Sequence, residues 1–267
     1  MRAHRTPFGC GVGEIGDDQF VGESRGNRLQ AIGYTVLATS NPALSVRTAI
    51  EKGLTYGLND FIAIGMYAAD VGVFAARKGT GYGSLEALVE FARKNPRQLS
   101  YASAGTGSVS HFTAELFKLS YGVDIVHVPY SGSGPAKNAI MGGHVPLVSA
   151  AYSAFVPLFS SGDLIPLVTT SPKRLSALPD TPTMAEKGFP NATLNIWMGF
   201  FVPAGTPPAI VDTLAKALAR IAPDPALIAA LDKAGLVPDY RDSDATRKQL
   251  QLEFDTVSKA TEKIKFD

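Results

Sequence analysis

The chain has one cysteine, Cys10, one tryptophan, Trp197, and no excess of charge of either sign: 25 Lys and Arg stand against 24 Asp and Glu, a net of +1 at pH 7. Each scarcity excludes something. A single cysteine can neither close a disulfide within the chain nor build a thiolate cluster for a metal. No basic run interleaves with aromatics, so nucleic acid is excluded as a partner, because neutralising phosphates takes clustered Lys and Arg. The longest apolar stretches, such as residues 196–204, fall well short of the roughly 20 residues that a membrane helix requires, so the chain is not expected to be membrane-embedded. The four histidines, His4, His111, His127 and His144, stand at no metal-ligand spacing with another ligand, and no metal or cofactor is expected. Met1 to Pro7 carries positive charge with no apolar run behind it, so no secretory signal is read there. The start is expected to be either cytoplasmic or not the natural one.

What is present describes a globular chain with a substantial core: 267 residues, 45% hydrophobic and 18% charged, enough for one large domain or two ordinary ones. Residues 1–30 hold many Gly, Asp and Arg without an apolar period and read as a poorly packed arm, becoming helical near 21–31. From Gly33 onward strand-like and helix-like runs alternate, which predicts α/β layering with a mostly parallel sheet. Strands are predicted over 34–38, 61–66, 71–76, 99–103, 124–130, 145–149, 165–169 and 194–202. Leu85, Leu88, Val89 and Ala92 recur at helical spacing behind a Ser84 cap. Further helices are predicted over 109–119, from Pro135 at a first helical position to Gly142-Gly143, over 206–220, and on a last stripe of Leu250, Phe254, Val257 and Ile264. Thr183 and Glu186 have the spacing of a capping box.

Two strand–loop–helix junctions concentrate the chemistry: Ser103-Ala104-Gly105-Thr106-Gly107-Ser108 and Tyr130-Ser131-Gly132-Ser133-Gly134-Pro135. Free backbone N–H groups at a helix start, together with the helix dipole, form an anion site that needs no charged side chain. Glycine lets the backbone approach a ligand, and Ser or Thr can donate to a carboxylate. Taken singly each loop is more simply a helix cap. Two of them one strand apart, in a fold whose ligands sit outside the carboxyl ends of strands, shift the reading to binding. Phosphate fits less well than carboxylate, since neither loop ends in the Gly-Lys-Ser/Thr of a P-loop. Gly11, Gly13 and Gly16 match a dinucleotide fingerprint, but no strand is predicted before them, so the match is read as accidental. Ser108 and His111 sit i, i+3 with no third group to orient the histidine; a cap and a partly exposed helix residue is the better reading. His127 reads as a satisfied core histidine, and Tyr130 and Trp197 as core first or pocket lining second.

At these residues the chain resembles the solute-binding proteins of tripartite tricarboxylate transporters, the Bordetella uptake gene family. The segments that carry the likeness are Gly33-Tyr-Thr-Val-Leu37, Leu99-Ser-Tyr-Ala-Ser-Ala-Gly-Thr-Gly-Ser108, His111 with Glu115-Leu-Phe117, and Val123-Asp-Ile-Val-His-Val-Pro-Tyr130. Leu178-Pro-Asp-Thr-Pro-Thr183, Ala185-Glu-Lys-Gly188 and Pro203-Ala-Gly-Thr-Pro207 follow in order, so the likeness runs from about Gly33 to the C-terminus. The resemblance implies an α/β, two-lobed periplasmic-binding-protein fold of type II, each lobe a mixed sheet flanked by helices. It implies lobe 1 from residues 1–102 and 199–267, lobe 2 from 103–198, and a ligand cleft between them. It implies a periplasmic monomer, not an enzyme, that captures a di- or tricarboxylate or an aromatic carboxylate for the membrane subunits of the transporter. Carried over by position, the ligand-binding residues are Thr39, Ser40, Ala104, Gly105, Thr106, Gly107, Ser108, Tyr130, Ser131, Gly132 and Ser133. Where family members often carry an acid that pairs with a ligand ammonium, this chain reads Ser149-Ala-Ala-Tyr152, so the expected ligand lacks an ammonium group. Nothing before residue 30 matches the family's first strand unit, so the first lobe is expected to be incomplete. The rival readings are a hydrolase using Ser108 or Ser131, and a sensing domain that presents its ligand to a signalling partner.

Overall fold

The computed structural model describes residues 11–14, 35–51, 53–190, 192 and 195–261. In chain order the strands are β1 (Gly11–Glu14), β2 (Thr35–Ser40), β3 (Phe61–Asp70), β4 (Gly72–Arg77), β5 (Ser100–Ser103), β6 (Val126–Pro129), β7 (Leu147–Ala151), β8 (Leu164–Thr169), β9 (Ile196–Pro203) and β10 (Val237–Arg241). The helices are α1 (Val46–Ile50), α2 (Leu85–Lys94), α3 (Val109–Tyr121), α4 (Ser133–Met141), α5 (Tyr152–Ser160), α6 (Pro208–Ile221), α7 (Pro225–Lys233) and α8 (Ser243–Thr261). They fall into two compact units. One comprises residues 1–69, 197–233 and 237–267, the other residues 70–196 and 234–236.

The first unit is built on a sheet of order β1-β2-β9-β3-β10, in which β1 runs parallel to β2 while β9 opposes β2 and β10 opposes β3. Its core gathers Leu37, Leu44, Met66, Trp197 and Phe201, each at most a few per cent exposed. Burial of side chains of this size stabilises by roughly 1.5–3 kcal/mol apiece. The second sheet has the order β6-β5-β7-β4-β8. Here β6, β5 and β7 are parallel, and β4 lies antiparallel to both β7 and β8. Leu85, Leu88, Val89 and Ala92 of α2 turn into this unit's core beside Phe74 and Phe117, whose rings stack at 4.4 Å. Ser84 caps α2 by accepting from the Ala87 N–H at 3.2 Å, and Thr183 and Glu186 close their reciprocal box at 3.1 and 3.2 Å.

Several expectations change. Both sheets are mixed, as the resemblance implied, and not the mostly parallel kind that alternation suggested. In the first sheet the reversed strands are β9 and β10; in the second it is β4, which enters one residue after β3 leaves the first and pairs in reverse. That pairing draws residues 70–102 into the second unit, so the division falls after Ala69 and after Ile196 rather than after residues 102 and 198. A strand does precede residue 30: β1 pairs in register with β2 from Gly11↔Thr35 to Glu14↔Ala38 and covers that edge. The dinucleotide-like glycines Gly11 and Gly13 therefore lie within a strand and not at a strand-to-helix turn. The helix expected over 21–31 and the stripe position Ile264 lie outside the described residues. Pro135 is the third residue of α4, not the first. α5, α7 and β10 were not legible from periodicity.

Candidate functional site

The site is built by register. β5 and β6 are adjacent and parallel, with Ser103 paired to Pro129, so their carboxyl ends coincide and the loops that follow emerge side by side. The Tyr130 N–H donates to the Ser103 carbonyl at 3.2 Å. The approach is close enough that a Cβ on Gly105 would meet the Tyr130 carbonyl at 2.9 Å, and Gly105 itself has φ of 129°. Glycine is required there on both counts. Each loop then opens a helix of nine residues or more: 105–108 opens α3 and 130–132 opens α4. β7, parallel to β5 on its other side, delivers the start of α5 to the same edge.

Much of the first loop's hydrogen-bonding capacity is already committed inside the protein. The Ala104 N–H donates to Ser110 Oγ at 3.0 Å, Gly105 to Ser103 Oγ at 3.1 Å, Gly107 to His111 Nδ1 at 3.1 Å, and Ser108 to the Gly105 carbonyl at 3.2 Å. Ser108 Oγ donates to the Gly105 carbonyl at 2.7 Å and caps α3 by accepting from the His111 N–H at 3.2 Å. Ser110 Oγ also lies 2.9 Å from Ser108 Oγ; what remains is the exposed Thr106 and the N–H groups of Val109 and Ser110 in the first turn of α3, which have no intrahelical acceptor by the geometry of a helix start. Likewise Ser133 and Gly134 open α4, whose first intrahelical bond runs from the Ala136 N–H to the Gly132 carbonyl at 3.2 Å, and Ser131 is exposed beside them. Thr39 and Ser40 end β2 in the first unit, both half-buried. The structure thus brings the 103–108 and 130–133 residues together and narrows the donors among them.

Beneath the loops lies a layer that the residue pattern alone did not disclose. His111 was expected to be partly exposed; it is 6% exposed. Its ring stacks on His127 with centroids 4.0 Å apart and planes 9° apart, and His127 stacks in turn on Tyr101 at 5.0 Å. His127 Nε2 lies 2.6 Å from Ser103 Oγ. Glu115 Oε1 accepts from the Tyr101 hydroxyl at 2.9 Å and from Lys118 at 2.9 Å. Burial, with the facing His111 second, pushes His127 down to about 4, and burial also lowers His111 against the opposing pull of Glu115. Both rings are neutral near pH 7. The hydrolase reading fails on this geometry. His111 presents Nδ1 to Gly107 rather than to Ser108, and the serine that meets a histidine, Ser103, has no exposed surface from which to reach a substrate.

An acid is also present where none was read. Asp70, 7% exposed, accepts at the start of α5 from the Ser153 N–H at 3.1 Å and the Ser153 hydroxyl at 2.5 Å. Burial raises its carboxyl above the usual range, and the Ser153 bonds oppose that rise. Trp197 is core rather than lining. Its indole N–H donates to Glu253 at 2.7 Å, and Glu253 also accepts from Asn41 at 2.8 Å, Ser45 at 3.2 Å and Gln249 at 2.7 Å. Among the described residues no helix is long and apolar enough to cross a membrane, and no group of three or more His, Cys, Asp or Glu could hold a metal ion.

Comparison with known proteins locates this arrangement. Residues 19–265 match the model of a family described as the tripartite tricarboxylate transporter family receptor, so the likeness starts earlier than Gly33. A UPF0065 protein of Bordetella pertussis is 30% identical over 212 residues, 77% of this chain and 64% of that protein's length. Protein BugT of Bordetella pertussis is 30% identical over 229 residues, covering 85% and 70%. Among solved structures, one described as a periplasmic transporter superposes with a TM-score of 0.77 at 32% identity, covering 94% of this chain and 85% of its own. Rpa4515 of R. palustris, determined with adipate, gives 0.75 at 28%, covering 88% and 79%. MatC of Rhodopseudomonas palustris, with bound malate, gives 0.70 at 25%, covering 91% and 84%. The fold is that of the periplasmic binding proteins.

Proposed function

Because the chain belongs to the tripartite tricarboxylate transporter receptor family, we propose that it is a periplasmic solute-binding receptor that captures a small carboxylate for the membrane subunits of a tripartite transporter. It is a receptor and not an enzyme, as its family is. The observation that carries the carboxylate reading is the coincidence of two glycine- and hydroxyl-bearing helix starts, α3 and α4, at the ends of the paired strands β5 and β6. The donors we assign are the N–H groups of Thr106, Val109, Ser110, Ser131, Ser133 and Gly134 and the hydroxyls of Thr106, Ser131 and Ser133, with Gly105, Gly107 and Gly132 shaping the backbone. Ala104, Ser108 and Tyr130 frame them, and Thr39 and Ser40 are further proposed donors on the first unit. The ligand classes are di- and tricarboxylates and aromatic carboxylates. A ligand without an ammonium group fits, since Asp70, the acid nearest the start of α5, already has both oxygens engaged by Ser153.

The magnitudes are of the right order without a cation. A hydrogen bond to a charged group contributes about 1.5–3 kcal/mol, and a helix N-terminus roughly 0.3–2. Four such donors and two helix starts supply roughly 7–16 kcal/mol before association costs, much of what the roughly 8 kcal/mol of a micromolar complex requires. The test is a thermal melt of the chain alone and with millimolar malate, adipate, succinate, citrate, benzoate and the amino acid aspartate. A ligand at about 100 times its Kd adds roughly 2.7 kcal/mol, which raises the midpoint of a chain this size by several degrees. A shift with one carboxylate class supports the reading. Absence of a shift with every carboxylate, or a larger shift with aspartate than with its des-amino analogue succinate, overturns the corresponding part of it.

A further inference from the structure

We propose that His111 is a positioning residue for the bound carboxylate: through Gly107 it holds the 105–108 loop in its ligand-taking shape, and it does so in its neutral form alone, so that affinity falls when the imidazole pair takes up a proton. This rests on the carboxylate reading above and deepens it. The loop is not held by a strand ladder or a helix. Gly105 and Gly107 have φ of 129° and 77°, which removes it from both. Side-chain acceptors hold it instead, and the one on Gly107 is the unprotonated Nδ1 of His111 at 3.1 Å. A protonated ring carries a hydrogen on both nitrogens. Nδ1 would then point a donor at the Gly107 donor, and the amide would lose its acceptor and be repelled. Gly107 lies between Thr106 and the first turn of α3, so its displacement moves the proposed donors on either side.

Every charged or titratable neighbour of the pair bears on this. On α3, Glu115 Oε1 lies 3.9 Å from His111 Nε2, and Lys118 holds Glu115. From β5, Tyr101 donates its hydroxyl to the same Glu115 oxygen. From β6, His127 lies face to face with His111 at 4.0 Å, so a charge on one ring opposes a charge on the other. The protons are therefore taken up by the pair rather than by either ring independently. For His111, burial and then Lys118 oppose the charged imidazole and Glu115 favours it, and for His127 burial and the facing His111 oppose it. His127 in turn sets Ser103, whose hydroxyl accepts from the Gly105 N–H. Both imidazoles thus act on the same loop, one on each of its glycines.

The experiment is calorimetric titration of the full chain with malate and with adipate, from about pH 7.5 to about pH 4, on wild type, His111→Asn and His111→Leu. Asparagine places an amide oxygen near the position of Nδ1 and does not titrate; leucine cannot accept. Near pH 7.5, His111→Asn is expected to bind within about twofold of wild type and His111→Leu about tenfold more weakly, the size of one lost hydrogen bond. Toward about pH 4, the value to which His127 is lowered, His111→Asn is expected to bind increasingly more tightly than wild type. Comparing variants at one pH cancels the ligand's own titration. A wild-type to His111→Asn ratio that stays constant across the range overturns the proposal. Amide exchange at Gly107 in the ligand-free chain separates the two levels: slow in wild type and His111→Asn and fast in His111→Leu is expected, and equal protection in all three overturns the positioning role. Lost protection in His111→Leu, with no carboxylate bound by wild type, overturns the function reading and leaves the positioning role standing.

Discussion

Glu253 in the first unit and the 103–108 loop in the second solve the same problem in opposite ways. Glu253 is a carboxyl group only 4% exposed, held by Asn41, Ser45, Trp197 and Gln249 without a Lys or Arg among these partners. The loop has the complementary half of that chemistry: neutral donors grouped at two helix starts, with a carboxylate to be supplied from outside. The first unit thus demonstrates within the same chain that neutral donors hold a carboxyl in a dry setting. The difference lies in where the donors come from. Around Glu253 they are side chains separated by up to 212 positions from the acid they hold, which makes the cradle a product of tertiary folding. In the loop they are backbone groups of consecutive residues, which need two glycines and two histidines to hold their shape.

That contrast can be broken experimentally, and the largest effect is expected in the first unit. Glu253→Ala removes the carboxyl that the buried Asn41 amide, Ser45 hydroxyl and Trp197 indole and the half-buried Gln249 amide donate to, at roughly 1–3 kcal/mol for each buried donor. Urea unfolding should show a loss of about 3 kcal/mol or more, with Glu253→Gln retaining part of it. Gly105→Ala comes next. A Cβ at φ of 129°, 2.9 Å from the Tyr130 carbonyl, should cost about 1–3 kcal/mol, and it should weaken carboxylate binding as well, because the two loops are forced apart.

The two regions should also respond to pH with opposite sign. Burial raises the carboxyl of Glu253 above its ordinary range. Its favourable contribution is complete below the unfolded value near 4.5 and declines as pH rises through the folded one. His111 and His127 are lowered, the latter to about 4. Their contribution is complete above the unfolded value near 6.5 and is lost as pH falls from there toward about 4. Hydrogen exchange resolved by segment should therefore show the 103–108 loop opening between about pH 6.5 and 4 while the Asn41–Glu253 cradle gains protection. Loss of protection in both regions together would merge what is here distinguished. The smallest effect is expected at Ser84→Ala, remote from both, where loss of one helix cap should cost about 1 kcal/mol and leave binding unchanged.

Much of the architecture could be read from residue order, and the reasons are local. The spacing of Leu85, Leu88, Val89 and Ala92 identifies the buried face of α2, and Thr183 with Glu186 announces its own reciprocal bonds, because the first pattern spans only about two helix turns and the second about one. The loops at 103–108 and 130–133 were legible for the same reason. What escaped was relational. That β4 would pair backward between β7 and β8, and so move the unit boundary, depends on strand partners that periodicity does not name. That His111 would be buried against His127 depends on β5 pairing with β6 so that Tyr101 and His127 share a register. Asp70 was invisible as a partner of Ser153 because 83 residues separate them. β1 was missed because a four-residue strand of Gly, Val, Gly and Glu carries almost no β-branched or apolar signal.

Asp70 has one more effect. Three parallel strands, β6, β5 and β7, bring three helix starts to one edge of the sheet, and three aligned dipoles would make that edge a trap for any anion, sulfate and phosphate included. Asp70 places an acid on the third of them. The start of α5 is thus already met by a carboxyl of the chain itself, and two helix starts, those of α3 and α4, remain for a ligand. The number of helix starts open to a ligand is set by a residue 83 positions away from the one it meets.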